Sequence, residues 1–267
     1  MSDWENKVVL VTGGSAGLGR AIASQFAQRG ATVVIAARDK DRLEAAATSI
    51  ESLGSRCHSV VADVTSDEDV RRLVASVVDQ HGRLDVLVNA AGKSARGTIE
   101  ETTVDDFQQL LDLNFLATVR CTCTALPYLK QTQGHLVNIG SLASKVAARY
   151  LAGYPASKHA VAAYSQQLRL ELEPAGLHVL LVCPGPIARD DVEVRYSAQA
   201  EDLPDEARKP GAGARLNALD PDRLAERIVR ACDRRQRELV VPGKSRLLFA
   251  LSQLSPRLGD WLLKKFT

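Results

Sequence analysis

The chain reads as an α/β protein built on a doubly wound, mainly parallel seven-stranded sheet with helices on both faces. Three observations point there. Apolar runs alternate with amphipathic helical patterns through about the first 185 residues, the rhythm of repeated βαβ units. Those runs are near-continuous in Val, Ile and Leu, as strands covered on both faces require. The first run breaks into glycines and opens directly into a helix.

The first strand, 7–12, leads into Gly13-Gly14-Ser15-Ala16-Gly17-Leu18-Gly19, and a helix follows over 17–29. Gly13 permits a sharp turn, Gly17 leaves no side chain where a pyrophosphate would approach, and Gly19 lets the helix pack close to the sheet. An anion there meets unpaired first-turn N–H groups and the positive end of the helix dipole. The stretch, with Ser15, Ala16 and Leu18 between its glycines, therefore reads as a dinucleotide phosphate cradle. Its spacing departs from the usual G-x-G-x-x-G, and a glycine-rich turn without a ligand is the alternative.

The second strand, 32–37, ends Ile35-Ala36-Ala37-Arg38, where a dinucleotide fold meets the adenosine ribose. An acidic residue would bond both ribose hydroxyls and repel a 2′-phosphate. Arg38 supplies a guanidinium instead, so NADP is expected over NAD. Asp39 is a competing partner for Arg38. Ser15 either adds a hydroxyl to the same phosphate or caps the helix.

Helix 41–53, strand 57–62, helix 67–81 and strand 85–88 continue the pattern, followed by helix 104–130, strand 134–139, helix 154–173 and strand 177–182. Asp220-Pro221 reads as an N-cap and first-turn proline opening helix 221–235, before a last strand at 238–241. Between Pro184 and Asp220 the pattern fails and Pro204, Pro210, Gly211 and Gly213 accumulate, so 190–219 is expected to cover the substrate cleft. The tail, 244–267, carries Leu247, Leu248, Phe249, Leu251, Leu254, Leu258, Trp261, Leu262, Leu263 and Phe266, interrupted by Pro256. Two short helices closing the cleft or a subunit interface are expected there, with an interfacial membrane contact as the alternative.

Composition narrows the function classes. With 267 residues, 45% apolar and 4% aromatic, one domain over 1–267 is expected. Thirty-four basic against 32 acidic residues leave a net charge of +2, with no bias towards nucleic acid. Five scattered cysteines, an odd number, point to reduced, buried thiols and a cytoplasmic protein. Cys121-Thr-Cys123 lacks a matching pair and diverges on a helix, so no metal is expected. The polar start, Met1 to Asn6, leads straight into the first strand and leaves no room for a secretory signal, and no run is long enough for an obvious membrane span.

Downstream lie Asn89-Ala90-Ala91-Gly92, Asn114 in a helix, Ser141 just past a strand, and Tyr154-Pro155-Ala156-Ser157-Lys158. Tyr154 and Lys158, four apart, share a helical face, and an ammonium beside a phenol favours the phenolate. Together with Gly13, Gly17, Gly19 and Pro184-Gly185, these motifs resemble the short-chain dehydrogenase/reductase family in its single-domain branch, over residues 7 to about 187. The resemblance implies a Rossmann-type fold and hydride transfer between NADP and a ketone or secondary alcohol, with lipid-like substrates suggested. In it Tyr154 exchanges the substrate proton, Ser141 holds the oxygen, Lys158 also binds the nicotinamide ribose, and Asn114 holds a relay water. Asp63 and Val64 would meet the adenine and Asn89 would brace the central strand. Ala90 and Gly92 would allow close backbone approach, and Ile187, after Pro184 and Gly185, would orient the carboxamide. A homodimer or homotetramer packed through the helices at 104–130 and 154–173 is implied as well. The sequence departs from the family at Arg189, where Thr is usual. An NAD-dependent alcohol dehydrogenase of the same family and a non-catalytic dinucleotide-binding regulatory protein are the alternatives. Sugar-nucleotide epimerase chemistry is disfavoured by the roughly 80 residues left after Pro184.

Overall fold

The computed structural model describes residues 4–54, 56–188, 203–208, 211–213 and 216–266. Strands β1 (Val8–Thr12), β2 (Thr32–Ala37), β3 (Cys57–Val61), β4 (Val86–Asn89), β5 (His135–Ile139), β6 (His178–Pro184) and β7 (Glu238–Val241) form one sheet. Its order is β3-β2-β1-β4-β5-β6-β7, and every neighbouring pair is parallel. The winding reverses between β1 and β4, so the crevice beyond their C-terminal ends is the switch point where α/β sheets bind ligands.

The helices are α1 (Gly17–Ala27), α2 (Lys40–Glu51), α3 (Asp67–His81), α4 (Val104–Leu111), α5 (Ala117–Gln131), α6 (Tyr154–Leu172), α7 (Asp205–Arg208), α8 (Pro221–Asp233), α9 (Ser245–Leu254) and α10 (Pro256–Phe266). Strand alternation divides the core between them. Val9, Val11, Val33 and Ile35 pack with Phe26, Leu43 and Ile228 from α1, α2 and α8. Leu10, Val34, Leu87 and Leu136 pack on the other face with Leu73, Leu129 and Leu168 from α3, α5 and α6. Asp39, Ser66, Thr103 and Asp220 cap α2, α3, α4 and α8 by accepting from backbone N–H groups.

Several boundaries differ from the sequence reading. The helix expected over 104–130 is α4 and α5 joined by a π turn, Asp112–Leu116. Strand β3 stops at Val61, so Asp63 and Val64 lie on the loop beyond it. Asn89 belongs to β4 rather than following it. The expected cover, 190–219, falls largely outside the described residues, as does Arg189; its described part includes α7 and a bridge between Ile187 and Leu219. The tail forms the two expected helices, broken at Ser255. All five cysteines are free; Cys57, Cys121, Cys183 and Cys232 are buried, but Cys123 is exposed. No helix among the described residues is long and apolar enough to cross a membrane.

At the far edge from the crevice, His135 and His178 face each other across β5 and β6, with their Nδ1 atoms 2.8 Å apart. His178 Nε2 lies 2.7 Å from the Gln236 carbonyl and so donates to it, which leaves Nδ1 to accept from His135. Cys232 completes a His-His-Cys group whose ligand atoms lie within 4.8 Å of one another. Burial pushes both imidazoles down from the usual 6.5, His135 to about 3 and His178 to about 4. The folded protein holds them neutral, whereas the unfolded chain protonates below its ordinary histidine value. Their contribution is therefore intact above about pH 6.5 and lost as the pH falls, with a slope approaching about 1.4 kcal/mol per pH unit per proton. Thermal unfolding from neutral pH down to about pH 5 should show Tm falling in the wild type. In His178→Gln the fall should be shallower. An equal slope in both proteins would remove the pair from the account.

Candidate active site

A cavity of about 750 Å³ opens at the C-terminal edge of the sheet. One wall is the glycine loop with the start of α1. Gly13 and Gly17 have φ of +68° and +52°, the left-handed region that glycine tolerates without strain. A Cβ on Gly13 would fall 2.8 Å from the Ala91 nitrogen, and one on Gly19 would run into the Gly13 carbonyl. Gly19 therefore closes the helix against the loop itself. Helix α1 is entered through Ala16, which supplies no side-chain cap, and it carries no acid in its first turn, unlike the capped α2, α3, α4 and α8. Its first-turn N–H groups and dipole face a cavity lined by Gly13, Ala16, Gly17, Leu18 and Gly19, a cradle that fits a dinucleotide diphosphate. Ser15 sits on the loop but outside the lining.

The end of β4 supplies the next wall through Ala90, Ala91, Gly92 and Lys93. A Cβ on Gly92 would lie 2.8 Å from Asn114 Oδ1 and 3.6 Å from Lys158 Nζ, so only glycine lets both crowd this strand end. Asn114, on the π turn and 1% exposed, accepts from the Lys93 N–H at 2.9 Å. Its Nδ2 donates to the Lys93 carbonyl at 2.9 Å and to Ser157 Oγ at 3.0 Å. Both ends of its amide thus brace the loop against α6.

Tyr154 opens α6, and Lys158 follows one turn later with Nζ 5.9 Å from the Tyr154 ring centre. Lys158 Nζ donates to the Ile139 carbonyl at 2.8 Å. Burial pushes its pKa down from 10.5 to about 8. Ser141 Oγ accepts from the Ala143 N–H at 3.1 Å, capping the 3₁₀ turn Leu142–Ser144, and its residue lines the cavity beside Tyr154 and Lys158. Gly153 lets α4 approach, since a Cβ there would meet the Phe107 ring at 2.8 Å. Pro184, Gly185 and Ile187 also line the cavity. The bridge to Leu219 uses the carbonyl of Pro186 and the N–H of Ala188, and not the peptide groups of Ile187 itself.

Four of the expected residues lie off the cavity lining, besides Ser15 and Asn114. The Arg38 side chain is 68% exposed, with Nη1 3.7 Å from Asp63 Oδ2. Asp39, the expected competitor, instead caps α2 by accepting from the Arg42 N–H at 3.0 Å. Asp63 accepts from the Thr65 N–H at 2.9 Å and the Thr65 hydroxyl at 2.7 Å. Partial burial works to raise its pKa, but these bonds and Arg38 hold it below the usual carboxylate range. Val64 is buried under α3. Asn89 donates to Asn138 Oδ1 at 2.9 Å and Thr122 Oγ1 at 3.2 Å, and Asn138 donates to Ser165 Oγ at 3.0 Å. This polar ladder ties β4 and β5 to α5 and α6.

Sequence reasoning missed Lys93, Asn138 and Ser157, which matter through partners set by the fold. It also missed Arg96, 7% exposed, which lines the cavity and donates from Nε to the Ala207 carbonyl of α7 at 2.8 Å. Much of the remaining lining is apolar, with Val146, Leu151, Leu216, Leu248, Leu251 and Leu262 among it.

The family model described as short chain dehydrogenase matches residues 7–200. The 11-beta-hydroxysteroid dehydrogenase 1A of Arabidopsis thaliana is 34% identical over 260 residues, covering 96% of this chain and 74% of its own. A short-chain dehydrogenase from Streptomyces avermitilis superposes with a TM-score of 0.80 at 29% identity, over 98% of this chain and 97% of that one. The L-sorbose reductase of Gluconobacter frateurii, complexed with NADPH and L-sorbose, gives 0.79 at 29% identity over 90% and 97%. With a matched model spanning the sheet from β1 to β6 and a relative of this identity across nearly the whole chain, the protein belongs to the short-chain dehydrogenase/reductase family, oxidoreductases of alcohols and carbonyls.

Proposed function

We propose that the protein is an NADP(H)-dependent oxidoreductase interconverting apolar ketones and secondary alcohols. The observation that carries this reading is the grouping of Ser141, Tyr154 and Lys158 in one cavity with the uncapped start of α1. A bound nicotinamide dinucleotide supplies or accepts the hydride. In reduction, Ser141 hydrogen-bonds the substrate oxygen and the Tyr154 hydroxyl gives that oxygen its proton as the C–H bond forms. The Lys158 ammonium stabilises the phenolate left behind, and in the alcohol direction the same phenolate takes the proton back. Lys158 also holds the nicotinamide ribose, Asn114 fixes the Lys93 loop, and Ile187 offers peptide groups to the carboxamide. Gly13, Ala16, Gly17, Leu18 and Gly19 hold the diphosphate, Ser15 adds its hydroxyl to the 2′-phosphate met by Arg38, and Asp63, Val64, Asn89, Ala90 and Gly92 shape the adenine side and the floor.

Arg38 supports NADP, because β2 ends without a carboxylate and its exposed pairing with Asp63 is weak enough to exchange for a phosphate. The NADPH complex of the L-sorbose reductase neighbour agrees. The largely apolar lining favours apolar carbonyl substrates. Exposed Val104, Leu116 and Leu170 on the α4–α6 region support a homodimer or homotetramer formed through it.

Fluorescence titration should give tighter binding of NADPH than of NADH, and Arg38→Asp should weaken NADPH by roughly tenfold or more while sparing NADH. Preference of the wild type for NADH would overturn the NADP assignment. Tyr154→Phe should lower kcat for ketone reduction by about 10²–10⁴ while NADPH affinity stays near wild type. Undiminished turnover in that variant would remove Tyr154 from proton transfer.

A further inference from the structure

Helices α9 and α10 wall the apolar end of the cavity with Leu248, Leu251, Leu262 and Leu263, yet they also carry apolar residues outward. Leu254 is 82% exposed, Leu258 38% and Trp261 56%, and Leu258, Trp261 and Lys265 follow one another at i, i+3 and i+7 along one stripe of α10. The two helices cross closely, since a Cβ on Gly259 would lie 2.9 Å from the Ser252 Cα. The segment 244–267 is also basic. Lys244, Arg246, Arg257, Lys264 and Lys265 stand against Asp260 alone, a net of +4 in a chain whose total is +2, so the rest of the molecule is net acidic. Lys265 Nζ sits 5.1 Å from the centre of the Trp261 ring, a pairing of amphipathic ring and long basic stem suited to the boundary between headgroups and acyl chains.

We propose that α9 and α10 dock the protein on an anionic phospholipid surface. Leu254, Leu258 and Trp261 enter the acyl boundary, and Lys264, Lys265 and Arg257 meet the headgroup phosphates. The same helices form the cavity wall, so docking brings the apolar end of the cavity to the lipid, and apolar substrate enters without crossing water. This last step rests on the function proposed above; the docking does not.

Vesicles of phosphatidylcholine alone, and of phosphatidylcholine with phosphatidylserine, test the idea on the full chain without cofactor or substrate. The protein has two tryptophans, and Trp4 is 4% exposed, so a lipid-induced change in emission reports on Trp261. The expected result is co-sedimentation with the anionic vesicles, a blue shift of emission, and loss of both at high salt. Lys264→Glu combined with Lys265→Glu should weaken association by roughly tenfold or more. Leu258→Glu should abolish it. Trp261→Phe should sediment with vesicles but show no shift. These side chains lie outside the cavity lining, so reduction of a water-soluble ketone without vesicles should stay at the wild-type rate in every variant and tests the catalytic reading separately. Absence of binding to anionic vesicles, binding indifferent to Leu258→Glu, or a concentration-dependent dimer that buries Trp261 without lipid would each overturn the proposal.

Discussion

The architecture is organised around one costly act, placing the Lys158 ammonium where 5% of the residue is exposed. Desolvation alone drives its proton affinity down, and the Ile139 carbonyl at the end of β5 is the group that receives its hydrogen bond. That carbonyl is available because β5 ends there and the chain turns away through Gly140 into the cap formed by Ser141. A helix carrying Lys158 must then lie across the strand end at one height and one rotation, and Tyr154, one turn earlier, is delivered to the cavity by the same constraint.

Holding α6 at that setting is the task of the buried polar ladder. Asn89, Asn138 and Ser165 run from β4 through β5 into α6, and Asn114 with Ser157 repeats the connection nearer the cavity. Buried amides that lost a partner would cost on the order of 1–3 kcal/mol each, so these contacts select one packing where aliphatic contacts would accept several. The glycines act from the other side by removing bulk. Gly92 admits Asn114 and Lys158, and Gly153 admits Phe107. Small residues and polar bridges together set a geometry that a core of Val, Ile and Leu leaves loose.

Strand runs and the glycine turn were legible in the sequence because period and backbone freedom are local properties. The seven strands followed from pattern, the shared helical face of Tyr154 and Lys158 from spacing, and Ser141 beside them only from the family resemblance. What stayed hidden depended on partners far along the chain. Asp39 beside Arg38 looked like its partner, but α2 takes Asp39 as a cap, and Arg38 turns to Asp63 on the next strand's loop. Arg96 shows no periodic signal, because its role comes from a carbonyl 111 residues away. The π turn escaped for a different reason: it changes the hydrogen-bond partners of residues that stay helical on either side, and residue type does not record that change.

That turn has a consequence for how the chain tolerates change in length. An added residue rotates everything after it by about 100° relative to a continuous α-helix. Helix α4 is thereby phased to contact α6, while α5, its continuation, is phased to contact β4 and α3. Losing any one residue between Asp112 and Leu116 would yield a smoother helix with better backbone hydrogen bonding. It would also take one of the two faces out of phase and swing Asn114 away from Lys93. Local regularity and global fit are opposed at this point, so the segment is held by its residue count more than by its composition.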